Sequence, residues 1–152
     1  MPSITLNLYD TFRRKQASGE NGVDLNALTV KLLIVTNSYT PDQNAHDFED
    51  DLGANEVSGT GYTAGGNTMA NMVDTLSGAG LVTVGFDDPT TWAEDAAGFS
   101  TGRRFIPYID RGGASSANEL IGYTDAAAAD FGNTTGALTA NLNASGLFQS
   151  AR

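Results

Sequence analysis

Residues 28–36 read LTVKLLIVT, a stretch too apolar and too rich in β-branched side chains to lie on a water-facing sheet. It lacks the polar–apolar alternation of a half-covered strand, so it predicts a central strand covered on both faces. The next segment is its opposite. Residues 42–66 carry Asp42, Asp47, Glu49, Asp50, Asp51 and Glu56 among glycines, and from Leu32 through Gly102 the chain has no Lys or Arg at all. Buried carboxylates need partners, and this segment brings no cation of its own. It is therefore expected on the surface, ordered largely by contact with neighbouring subunits. Deleting residues 55–65 is expected to leave a folded domain that assembles poorly.

The whole chain carries 8 basic against 18 acidic residues, a formal charge of −10. Such a surface repels nucleic acid and anionic lipid, whose affinity for proteins comes from Lys and Arg. No nucleic-acid or membrane partner is expected, and no apolar stretch approaches the roughly 18 residues that span a bilayer. The start, MPSITLNLYDTFRRK, lacks the basic-then-apolar order of a secretory signal, which reads as a protein made in the cytoplasm. With no cysteine there are no disulfides or thiolate ligands. A length of 152 residues fits one domain, residues 1–152.

Around the central strand the chain breaks into short pieces. Leu8, Tyr9 and Phe12 fall at helical spacing within residues 5–17, with Arg13, Arg14 and Lys15 in the last turn, where cations suit the helix dipole. This predicts a short amphipathic arm whose apolar face packs on the domain or grips a neighbour. A single helical turn is expected over residues 46–52. Strands are expected at 68–75, 81–86, 90–93, 103–110, 119–124, 138–142 and 146–149, with residues 77–80 as a hairpin connection. Pro107 marks a sheet edge or bulge. Short strands joined by Gly, Asn, Ser and Asp turns give a mainly β fold: a single-domain antiparallel β-sandwich or jelly-roll-like barrel with a short N-terminal helix.

Motifs for chemistry are incomplete. GYTAGGNT at residues 61–68 matches the phosphate-loop spacing, but Asn67 stands where the essential Lys belongs, and strand-like alternation comes after it rather than a helix. A tightly turned surface loop is the better reading. The acidic run lacks the order of a calcium-binding loop and reads as a solvated face. Asp87-Asp88 and Glu94-Asp95 resemble the paired carboxylates of a glycoside hydrolase, although capping of a turn before Pro89 explains the first pair. His46, the one histidine, has no nucleophile elbow to serve. Asp130-Phe131-Gly132 is a chance tripeptide, and Asn133-Thr134-Thr135 and Asn143-Ala144-Ser145 are glycosylation sequons without meaning unless the chain is secreted. No catalytic, cofactor-binding or metal-binding residue is assigned, and the chain reads as a non-enzyme. The basic pairs Arg13-Arg14 and Arg103-Arg104 are candidate docking points on an acidic surface.

Several of these segments together resemble a family of small tailed-bacteriophage virion proteins. They are Leu-Tyr-x-x-Phe in the arm, then VKLLIVTNSYTPDQNAHDF, NEVSGTGYTAGG, Ile121-Gly122-Tyr123-Thr124-Asp125 and Asn143-Ala144-Ser145-Gly146-Leu147-Phe148. The resemblance covers most of the chain and is most specific over residues 38–66. It implies a structural virion protein, foremost a capsid decoration or cement protein. Such a protein binds the major capsid protein on the outer shell, often as a homotrimer, and stabilises contacts between capsomers. The alternatives are a head–tail junction protein or a receptor- or glycan-binding module of a tail or head fibre, in which Tyr39, Tyr62, Trp92 and Tyr108 would stack on sugars. Leu8, Tyr9, Phe12, Arg13, Arg14, Tyr39, Tyr62, Arg103 and Arg104 are the interface candidates.

Overall fold

The computed structural model describes residues 6–76, 81–86, 90–141 and 147–151, and it gives the apolar run the cover its sequence demands. In chain order the elements are β1 (Asn7–Leu8), α1 (Asp10–Ser18), β2 (Thr29–Thr36), β3 (Asn67–Thr68), β4 (Met72–Leu76), β5 (Leu81–Phe86), β6 (Thr90–Trp92), β7 (Gly102–Asp110), β8 (Gly122–Tyr123), β9 (Leu138–Ala140) and β10 (Phe148–Ala151). All strand pairs are antiparallel, in sheets of order β3-β2-β7, β10-β5-β4, β6-β9 and β1-β8. The fold is mainly β with one α-helix, as the sequence predicts. Among the described residues no sheet closes on itself, so of the two architectures expected the sandwich-like one holds and the barrel does not.

The β2–β7 ladder is the hub. Leu32, Leu33, Ile34 and Val35 of β2 and Ile106 and Ile109 of β7 are fully buried on both faces of the sheet. Each such side chain contributes about 1.5–3 kcal/mol relative to an exposed one. Lys31 reaches diagonally across the ladder to Asp110, Nζ to Oδ2 at 2.7 Å. Pro107 lies on the outer edge of β7, as its chemistry requires. The backbone groups of Arg103, Phe105, Pro107 and Ile109 face away from β2, toward residues 119–127, so the missing N–H leaves the main ladder intact. The bulge lies instead at Arg103, where the register shifts between Val35 and Thr36.

Four sequence expectations change, and the first is the strand over 119–124, which is a strand only at Gly122–Tyr123, with isolated bridges at Glu119 and Leu120. The helix begins at Asp10, not near residue 5, because Asn7 and Leu8 pair with Tyr123 and Gly122. A Cβ on Gly122 would lie 2.7 Å from the Asn7 carbonyl oxygen, so only glycine admits that pairing. Gly19, at φ 68°, ends the helix. The strand expected over 68–75 splits into β3 and β4, since Asn71 takes a left-handed φ of 47° and Met69 turns into the core. The turn over 46–52 contracts to a 3-10 turn at Glu49–Leu52. The connection at 77–80 lies outside the described residues, although β4 and β5 pair as a hairpin would.

Candidate functional site

Most of the expected contact residues face inward. Tyr9 and Phe12 are buried in the core, with Phe12 edge-on to Phe148 at 5.9 Å, and Leu8 packs against that core. The apolar face of the arm therefore grips its own domain. Arg103 pairs with Asp130 (Nε to Oδ1, 2.8 Å) and donates from Nη1 to the Ala127 carbonyl, while Arg104 Nη1 donates to the Thr124 carbonyl at 3.0 Å. Both guanidinium groups hold residues 124–130 against β7, so neither is a free docking point.

Tyr39 belongs to a chain of hydrogen bonds that runs from the exposed loop at Asp42 into the core. The Asp42 amide donates to His46 Nδ1 at 3.3 Å, which makes that nitrogen an acceptor. The Tyr39 hydroxyl, 2.8 Å away, must then donate to it, and the Tyr9 hydroxyl in turn donates to Tyr39 at 2.7 Å. Burial pushes Tyr39 up to about 12 and raises Tyr9 well beyond the ordinary tyrosine value. Both phenols stay protonated at neutral pH, and the chain ties the loop after β2 to the start of the helix.

The acidic segment finds its partners in backbone amides rather than cations. Asp42 Oδ1 accepts from the amides of Asn44 and Ala45 at 3.0 and 3.1 Å. Asp51 Oδ2 accepts from Asp47 and Phe48 at 2.8 and 3.1 Å. Burial works against the Asp51 carboxylate, yet the amides of Phe48 and Asp47 hold it below its ordinary range. Glu56 Oε1 accepts from both the Tyr62 hydroxyl and the Gly65 amide at 2.7 Å, and Tyr108 donates to the Gly65 carbonyl at 2.8 Å. Meanwhile the amides of Val57 and Thr36 bond to Ile34 and Asn55, stitching the segment to β2. A Cβ on Gly66 would collide with the Leu32 carbonyl oxygen. The phosphate-loop look-alike is thus a glycine turn packed on β2, running into β3. The segment is ordered by its own chain, which overturns the expectation that neighbouring subunits order it.

The remaining motifs also have structural uses. Asp95 caps a turn through the Ala97 amide, and Phe131 stacks on Phe105 at 4.9 Å. Tyr39, Trp92 and Tyr108 are buried and Tyr62 is half-buried, so they form no exposed platform for sugars. Asp87-Asp88 and Asn143-Ala144-Ser145 lie outside the described residues. Among the described residues no group of three or more His, Asp or Glu side chains is placed to hold a metal ion, and no helix is long and apolar enough to cross a membrane.

Four polar residues are buried among the described residues without a signal for it in the sequence, Asn118 (which donates to Glu49 Oε2 at 2.6 Å) among them. Asn133, fully buried, accepts from the Phe99 amide at 2.9 Å and donates to the Ala93 and Thr60 carbonyls. Its side-chain amide is therefore closed to glycosylation in the folded chain. Glu119 holds Arg111 in a two-point pair at 2.8 and 3.0 Å. Lys15 is buried with its Nζ 4.1 Å from the centre of the Phe48 ring. No spacing rule announces any of them.

Two of the expected contact residues, Arg13 and Arg14, face outward beside a groove. A groove of about 1000 Å³ runs between α1 and the β10-β5-β4 sheet, lined by Arg13, Arg14 and Gln16 on the helix side and by Val82, Val84 and Phe148 on the sheet side. Among the described residues Arg13 and Arg14 are the cations that stand exposed; Lys31, Arg103, Arg104 and Arg111 are half-buried and Lys15 is buried. No protein-family model, no curated protein and no solved structure matches this chain.

Proposed function

We propose that the chain is a structural component of a tailed-bacteriophage particle, foremost a capsid decoration protein that binds the major capsid protein and works as a homo-oligomer rather than as an enzyme. One observation carries this reading. The side chains with chemistry to offer are engaged in holding loops: Glu56 by Tyr62 and Gly65, Asp51 by backbone amides, His46 by Tyr39, Glu119 by Arg111. Among the surfaces left open is a groove with Arg13 and Arg14 on one side and apolar sheet residues on the other, which suits contact with a partner. Such economy suits a small cross-bracing module, and residues 55–66, in the segment that most resembles virion proteins, are bonded to β2 and β7. The half-buried and buried aromatics withdraw support from a sugar-stacking fibre module.

The test is electron microscopy of particles from the genome that encodes the chain, joined to quantitative mass spectrometry. Density on the head surface at a copy ratio close to that of the shell protein is the expected result. Density confined to the tail, or a handful of copies per particle, would refute decoration and favour a tail or junction protein.

A further inference from the structure

The groove face of the β10-β5-β4 sheet is apolar well beyond the part the core covers. Antiparallel pairing sets Leu76 opposite Val82, Asp74 opposite Val84, Met72 opposite Phe86 and Phe148 opposite Val84, so these side chains share one face. At one end of that face Val84, Phe86 and Phe148 are buried. At the other, Leu76 is 69% exposed and Val82 36%. Those two and Val73 are the exposed large hydrophobics among the described residues, and all three belong to this sheet. β4 is also a sheet edge whose residues after Met72 are all exposed, without the Lys or Pro that usually blunts one.

Charge is distributed across this face with a direction. On one side stands α1 with Arg13 and Arg14; on the far side is β4 with Asp74, and the apolar floor lies between. Arg13 has only a loose 3.7 Å contact with Asp10, itself on the groove wall, and that exposed pair holds it weakly. A strip that is positive at one rim, apolar in the middle and negative at the other is complementary to itself after a half-turn. We infer that this face pairs with the same face of a second copy across a twofold axis, the β4 rim of each copy seated in the groove beside α1 of the other. Asp74 then meets Arg13 and Arg14 of the opposing copy, while Leu76 and Val82 cover each other's apolar floor. Such an isologous contact makes both charge pairs twice and closes after two copies. Direct β4-to-β4 edge pairing is the poorer alternative, because a register centred on Asp74 would oppose two like charges. This inference stands on surface chemistry alone and holds whether or not the chain is a virion protein.

Sedimentation of the purified chain over a concentration series tests it, with three exposed-site variants that leave the core untouched. The wild type is expected to sediment as a dimer. Asp74→Arg alone, or Arg13→Asp with Arg14→Asp, should each weaken self-association by about tenfold or more, the equivalent of about 1.4 kcal/mol. The chain carrying all three substitutions should recover it, since the complementarity is restored with signs exchanged. A wild type that stays monomeric, or an oligomer indifferent to every one of these changes, overturns the pairing. So does a triple variant that fails to recover while each variant still unfolds cooperatively like the wild type. None of these results bears on whether the chain is found in particles, which the microscopy decides separately.

Discussion

Glu56 and Asp74 are both carboxylates beside a strand, and they mark two regions built on different terms. Glu56 lies in the segment that wraps β2, and its Oε1 collects a tyrosine hydroxyl and a glycine amide. Around it Asp42, Asp51 and Tyr108 likewise bond to backbone, and the strands beneath are covered on both faces. Asp74 lies on the edge strand of the β10-β5-β4 sheet, exposed, between exposed Val73 and Thr75. In the first region charge holds the chain to itself; in the second it is presented outward. Stability and contact are therefore separable here, and substitutions in the two regions should differ in size and in what they damage.

The largest effect should come from removing residues 55–65. The deletion takes away Val57 from the core, the Asn55 and Val57 links to β2, and the Glu56–Tyr62 clamp. The expected outcome is loss of a cooperative unfolding transition by circular dichroism. A deletion variant that still unfolds cooperatively would show that the hub needs no wrapping. Next comes Arg111→Ala, which leaves Glu119 buried without its guanidinium partner and should cost about 3 kcal/mol in urea unfolding. A loss below about 1 kcal/mol, on the order of an exposed pair, would mean that this bridge is no more than a surface contact. Val35→Thr ranks third, at about 2 kcal/mol, since it places a hydroxyl in a fully buried, apolar site at nearly constant volume.

A smaller effect is tied to pH. The hydrogen bond from Lys31, then that from the Gly112 amide, holds Asp110 below its ordinary value of 3.8. A carboxylate with a lowered folded pKa contributes stability that is complete above its unfolded value and is lost as pH falls through the folded one. Lys31→Met should therefore lower stability near neutrality and flatten its decline through the acid range below about pH 4, read by urea unfolding at stepped pH. An unchanged acid slope would assign the effect to other carboxylates, Asp51 first among them.

How much of the molecule is legible in the sequence depends on how local each signal is. Residues 28–36 announce a central strand because so apolar a run can satisfy itself in few other ways, and β5 is readable over residues 81–86 as a short β-branched stretch. At residues 7 and 8 the helical expectation fails because Leu8, Tyr9 and Phe12 fit a helix face equally well, and only Gly122, more than a hundred residues away, settles the matter. The acidic segment is the more instructive case. Counting cations is the wrong test there, since its carboxylates are satisfied by amides a few residues along the same chain. Of the interface candidates, Arg13 and Arg14 are exposed, whereas Tyr39, Arg103 and Arg104 attract attention for a polarity that the fold turns inward. Burial of polar groups depends on partners brought together by the fold, and no spacing rule sees those partners.

The smallest effect sharpens the comparison most. Val73→Thr makes the same chemical change as Val35→Thr, a methyl for a hydroxyl on a β-branched side chain in a strand, at a site that is 47% exposed. There the new hydroxyl keeps its water, and threonine suits a strand as well as valine does. The expected change in unfolding free energy lies within about 0.5 kcal/mol. Val73 also projects from the face of β4 opposite Asp74 and Leu76, away from the groove, so self-association should stay unchanged as well. A matched pair of urea curves, one for each substitution, reads the comparison directly. Should Val73→Thr cost as much as Val35→Thr, the outer face of the β10-β5-β4 sheet is covered in solution, and the division between a wrapped hub and an open contact sheet fails at that point.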